Sequence, residues 1–272
     1  MKRLMKRLED IALDRLDRWY RAQAPSHPVT PAQAAAPVSE VERLRFDRVV
    51  VEVGPALLRV ATDGAMVERL KGTRRAVSRE WGVPLAPLAV RDHPGMAALA
   101  YRVMLDGQVL GEGALQPGRL LALGVDDTRP PPGDEPLVRE PAFGLPARWV
   151  DAARAGALRA AGCTVVDVET ALATHVGELL RARIADLLGF TELDGLLRQC
   201  AEARPGEVAA LEPAGLARPT LLIVLREVLR SGRPVAPFAA VLEAVLLASV
   251  EAKTPDALVP KVLAALPPPS AR

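Results

Sequence analysis

Beyond Gly189 the chain stops producing strand patterns. From there to residue 266 its apolar residues recur only at helical spacing, in blocks at about 191–203, 206–212, 219–231, 234–249 and 255–266, with Gly232 and Pro234 punctuating two of them. Between Phe46 and Gly189, short alternating runs mix with helical ones. Neither a uniform sheet nor a uniform bundle satisfies both halves. The change marks a boundary between an α+β part and an all-helical part. The 272 residues leave room for one large domain or two to three small ones, and no internal repeat is visible.

In the α+β part, DRVVVEVG and ALLRVAT read as two short strands around Gly54-Pro55. DGAMVERLKGTRRAVSREWG reads as a helix. Asp63 is its N-cap, Met66, Val67, Leu70, Val77 and Trp81 form the apolar stripe, and Gly82 closes it. PLAPLAVRD, LAYRVML, VLGEGAL and RLLAL read as strands, with Asp106-Gly107 as a two-residue hairpin turn. TRPPPGDEP (128–136) is a polyproline-like surface loop. Residues 151–161 look helical and end at Gly162, CTVVDV is a short buried strand, and Glu169 to Leu188 is a helix.

Between that loop and that helix lies EPAFGLPARWV, residues 140–150. Aromatics make up only 3% of the chain, and one of its four phenylalanines, Phe143, sits here on a turn bounded by Pro141 and Gly144. The pattern leaves two readings open. Phe143 plugs the join between two subdomains, or it is displayed at a cleft as an anchor for a partner protein, the kind of residue on which recognition energy concentrates.

The first 21 residues read as an amphipathic helix: Leu4, Leu8, Ile11, Leu16, Trp19 and Tyr20 recur at three- to five-residue steps against a mostly basic face. Docking on the chain's own body, oligomerisation and contact with a membrane surface are all open to it. AQAPSHPVTPAQAAAPVSE, which follows, is a Pro/Ala linker. No run of 18 uncharged apolar residues occurs, so no transmembrane helix is expected, and the basic start lacks the apolar stretch of a secretory signal. A cytoplasmic protein is the plain reading.

Composition and spacing argue against the common chemistries. The formal charge of +2 comes from 35 basic and 33 acidic residues, which does not suit a nucleic-acid binder. Cys163 and Cys200 have no CxxC spacing, so neither a disulfide framework nor a zinc site is expected, and Cys163 is read as a buried, inert thiol. His27, His93 and His175 form no HxH or HExxH pattern; His93 is read as a surface residue and His175 as packed on its helix. There is no GxSxG elbow. The GEG at 111–113 leads into no helix and is not a phosphate loop, and Asp126-Asp127 is read as a solvated turn. No catalytic residue, metal or cofactor is expected.

Taken in order, VVVEVG, DGAMVERLKGTRR, YRVMLDGQVLGEGALQPGRLLAL, EPAFGLPARWV and CTVVDVETALATHVGELL resemble the FHIPEP family, the large export-gate proteins of flagellar and virulence type III secretion. The resemblance covers about residues 46 to 266. It implies an α+β thioredoxin-like subdomain (46–118 plus 168–187), an inserted ferredoxin-like subdomain (119–167), a helical subdomain (188–267) and a tail (268–272), preceded by the amphipathic helix (1–21) and the linker (22–45). It also implies a non-enzymatic role: docking export chaperones and their substrates at a cleft between the first two subdomains, through Glu140, Phe143 and Thr174, in a protein that assembles as a nonameric ring. A structural ring or assembly factor without docking is the alternative. On this view the family's membrane domain and fourth subdomain are expected to be lacking, and Ala236, Pro237 and Phe238 stand where relatives carry an Ile-Arg-Asp segment.

Overall fold

The computed structural model describes residues 47–62, 64–126 and 128–268. The expected helix over 1–21, the linker over 22–45, the Asp63 cap and most of the tail lie outside these residues. The chain divides into two compact units. One comprises the described residues up to Leu70 together with Leu88–Val176; the other comprises Lys71–Pro87 and Gly177 onward.

The first unit holds two four-stranded sheets. In one, β1 (Val49–Val53) lies between β2 (Ala89–Asp92) and β3 (Ala100–Leu105), with β4 (Gln108–Ala114) at the far edge of β3. β1 runs parallel to β2 and antiparallel to β3. As the inner strand it buries Val49, Val50, Val51 and Val53 in a near-continuous apolar run. β3 alternates, sending Tyr101, Val103 and Leu105 inward and Arg102 and Met104 outward. The β3–β4 hairpin turns on Asp106 (φ 48°) and Gly107 (φ 81°), the two left-handed positions that the Asp-Gly pair predicts.

ALLRVAT is not a strand. Pro55–Leu57 form one 3-10 turn and Leu58–Thr62 the short helix α1. One distant contact and one local residue account for this. Gly54 approaches the carbonyls of Ala97 and Ala98 so closely that a Cβ would lie 2.1 and 2.7 Å from their oxygens, and Pro55 starts the helical turn at a position that needs no amide hydrogen. Leu57 and Ala61, four apart, are then the buried pair. Helix α2 (Gly64–Trp81) follows, with Met66, Leu70, Val77 and Trp81 buried and Gly82 (φ 73°) donating its N–H to the Ser78 carbonyl at 2.8 Å.

The second sheet, ordered β6-β7-β5-β8, is antiparallel throughout: β5 (Leu120–Leu123), β6 (Leu137–Arg139), β7 (Pro146–Val150) and β8 (Thr164–Val166). Its core gathers Ala122, Val150, Val165 and Cys163 with Ala155 and Leu158 of α3 (Ala155–Ala160). The sequence pattern announces neither β6 nor β7, and their pairing makes EPAFGLPARWV the loop and second strand of a β-hairpin. Pro146 is tolerated because it opens its strand.

The expected helix over 169–188 is α4 (Val168–Ala182), broken at Arg183 (φ −113°), followed by the short α5 (Ile184–Leu187). The rest of the second unit is helical, as its patterning predicts: α6 (Phe190–Ala203), α7 (Pro205–Ala209), α8 (Arg218–Arg230), α9 (Phe238–Ala248) and α10 (Pro255–Ala265). Leu193, Val224, Leu225, Leu242, Val245, Leu258 and Val262 build its core.

Candidate protein-binding site

The hairpin loop is held by its first residue. Glu140 donates its N–H to the Leu145 carbonyl and accepts at its own carbonyl from Gly144, both at 2.8 Å. Gly144 takes the left-handed conformation that lets the chain return into β7 (φ 66°). The Glu140 side chain folds back inside this loop. Oε1 accepts the Ala142 N–H and Oε2 the Phe143 N–H, each at 2.8 Å, and the residue is only 3% exposed. Arg139 closes the rim by donating to the Gly144 carbonyl at 2.9 Å. A buried carboxylate that accepts two amide hydrogens is well satisfied, and it locks the backbone from which Phe143 projects. The Phe143 ring is half-buried.

Thr174 stands on α4, also half-buried. Asp167 accepts the Thr170 N–H at 2.6 Å and so fixes where that helix begins. The next residue, His175, is 5% exposed and shares a 2.7 Å hydrogen bond between its Nδ1 and the hydroxyl of Tyr101, with the two rings edge to face at 5.8 Å. Tyr101 is fully buried on β3. Burial, and after it the charge of Glu140, pushes its phenol well above the usual range. Burial holds the His175 imidazole down to about 4, so it is neutral at physiological pH.

Glu140 and Phe143 are therefore brought together directly, as carboxylate and amide of one loop. Thr174 directly precedes His175 in α4, whose imidazole bonds Tyr101. Tyr101 is the residue that sequence reasoning missed. Two signals could have found it. The alternation of β3 turns it inward, where a phenol needs a hydrogen-bond partner, and the glycine paired with it across the hairpin, Gly113, leaves space for the ring.

Other candidates behave as structural residues. Cys163 and Cys200 are buried free thiols, pushed upward by burial. Asp126 accepts from the Thr128 and Arg129 amides and the Thr128 hydroxyl, and these bonds lower its pKa. His93 is half-buried. Among the described residues no group of three His, Cys, Asp or Glu is placed to hold a metal ion, and no helix is long and apolar enough to cross a membrane.

Comparison with known proteins bears on what this hairpin and helix belong to. The model of the FHIPEP family matches residues 11–268. The chain belongs to the FHIPEP family. The flagellar biosynthesis protein FlhA of Caulobacter vibrioides is 31% identical over 271 residues, covering 96% of this chain and 37% of that protein. FlhA of Escherichia coli is 30% identical over 200 residues, covering 72% of this chain and 29% of that protein. The chain thus spans about a third of the length of such relatives. Solved structures share the fold: CdsV of Chlamydia pneumoniae (TM-score 0.68, 18% identity, 80% of this chain and 66% of that one) and nonameric SctV-C of EPEC (TM-score 0.59, 13% identity, 80% and 65%).

Proposed function

We propose that this chain is a non-enzymatic, protein-binding component of a type III export apparatus of the flagellar kind, working at the cytoplasmic side of the membrane. Its task is to dock export chaperones and their substrates where the EPAFGLPARWV hairpin and α4 present Phe143 and Thr174. The observation that carries this reading is the division of labour within the loop. A buried carboxylate is spent on two backbone amides, and the scarce aromatic that it braces remains partly open to solvent.

On this reading Glu140 acts by shaping the loop, Phe143 supplies apolar burial and Thr174 a hydrogen bond. The sheet of β1–β4 with α4 is the thioredoxin-like subdomain, the sheet of β5–β8 the inserted ferredoxin-like one, and the docking cleft lies between them. The strands support this, since one sheet is complete by Ala114 and the other begins at Leu120.

Calorimetric titration of a flagellar chaperone–substrate complex tests the proposal. Phe143→Ala should lose about 2 kcal/mol, some 30-fold in Kd. Superimposable isotherms for Phe143→Ala and wild type would overturn it. The nonameric assembly of a solved relative favours a second reading, a ring or assembly factor in which docking is lost. Ring-sized particles in light scattering, combined with unchanged Phe143→Ala binding, would select that reading.

A further inference from the structure

The sheet-bearing unit buries two polar residues to 5% exposure or less, Glu140 and His175, and the fully buried Tyr101 bonds the second. One of the two holds the Phe143 loop through its amides, and the other directly follows Thr174 in α4. We propose that Tyr101 and His175 form a positioning pair for the docking site: their hydrogen bond fixes the face of α4 that carries Thr174 against the seat of the Glu140–Phe143 loop. This rests on the docking reading above, and adds to it residues that would never touch the partner.

The geometry gives the pair this reach. Tyr101 lies in β3 and His175 in a helix 74 residues away, so their 2.7 Å bond is a long-range tie between one strand and one helix face. The tie is directional, because imidazole Nδ1 accepts or donates only in the ring plane. The tyrosine cannot slide to meet another partner. Its ring covers Gly113, where a Cβ would stand 2.7 Å from the hydroxyl. Strand and helix therefore share one desolvated polar pair, in which each group restrains the other. Apolar residues at these places would fill the volume without setting the rotation of α4.

Four single variants of the full chain test the proposal: Tyr101→Phe, His175→Asn, His175→Leu and Phe143→Ala. Asparagine places its carboxamide oxygen near the position of Nδ1 and can still bond the phenol, whereas leucine fills similar space and cannot. Amide exchange of Ala142 and Phe143, measured without partner and referenced to Leu123 in β5, should quicken about tenfold in Tyr101→Phe and His175→Leu and return towards wild type in His175→Asn. Chaperone–substrate binding should weaken about fivefold in the same two variants and be restored in the third. Unchanged protection in Tyr101→Phe, or equal behaviour of the asparagine and leucine variants in both readouts, would overturn the pair. The Phe143→Ala arm separates the two levels. If it binds as wild type, the docking reading falls while amide exchange still decides whether the pair positions the loop. If it loses binding while Tyr101→Phe keeps it, the pair alone is refuted.

Discussion

Buried polar groups are used differently in the two units. In the helical unit they serve helix ends. Glu192 accepts the Gly189 N–H at 2.8 Å at the start of α6, and Ser249 donates to the Leu246 carbonyl at 2.6 Å at the end of α9. Each bond spans three residues. In the sheet-bearing unit one such group reaches across the chain: His175 bonds Tyr101 from 74 residues away, while Glu140 braces its own hairpin loop through amides two and three residues on. Local capping specifies where an element stops. Long-range polar pairing specifies how elements are oriented, and orientation is what a binding surface needs.

The contrast predicts where substitutions hurt most. Leu225 is wholly buried in α8, amid Leu221, Val224 and Val228 of the same helix. Leu225→Ala should cost the helical unit between about 2 and 5 kcal/mol in urea unfolding, the transfer and cavity terms together. Tyr101→Phe should cost the other unit about 1 to 2 kcal/mol, since the buried Nδ1 of His175 loses its partner. If the two losses are equal, polar pairing is a larger stabiliser here than the contrast allows.

Acid should distinguish the units next. The folded pKa of His175, about 4, lies below the ordinary 6.5, so the unfolded chain takes up a proton that the folded one refuses. The stability tied to the neutral ring is complete above pH 6.5 and is lost as the pH falls towards 4, a slope that integrates to about 3 kcal/mol. Burial alone holds the imidazole down, and its bonded neighbour is the Tyr101 phenol. His175→Asn should flatten this segment of the stability curve. A curve of unchanged shape would mean that the imidazole is not the group that responds.

How much was legible follows from the same distinction. Helices and caps depend on near neighbours, so the helical blocks, Gly82 and the Asp106-Gly107 hairpin could be read from spacing alone. ALLRVAT misled because seven residues carry too little periodicity to separate a strand from a helix, and the deciding contact, Gly54 against Ala97 and Ala98, is more than 40 residues away. β6 is three residues long and β7 begins with proline, so both lack a strand signature until they pair. At the site, the turn and its scarce Phe143 were visible. The burial of Glu140 and the Tyr101–His175 bond were not, since both exist only after strand, helix and loop have met.

The GEG at 111–113 shows the limit most sharply, and it carries the last predictions. Its Gly113 is neither a phosphate contact nor a turn. It pairs with Tyr101 across the hairpin, and a Cβ there would sit 2.7 Å from the phenol oxygen and 2.9 Å from the ring carbons. Tied to His175, the ring has nowhere to retreat, so Gly113→Ala should destabilise by about 2 kcal/mol, the scale of an overpacked core. The cost should largely disappear when the ring is removed: in a cycle with Tyr101→Leu the coupling should approach the single-mutant penalty. The helical unit supplies the opposite case. Gly206 lies exposed in α7, and a methyl group placed there would meet nothing within 4 Å, so Gly206→Ala should stabilise by about 0.5 kcal/mol through the unfolded chain's lost freedom. Opposite signs for two Gly→Ala exchanges would show that one unit uses glycine to admit a distant side chain while the other merely tolerates it. Equal signs would remove the special status claimed for Tyr101.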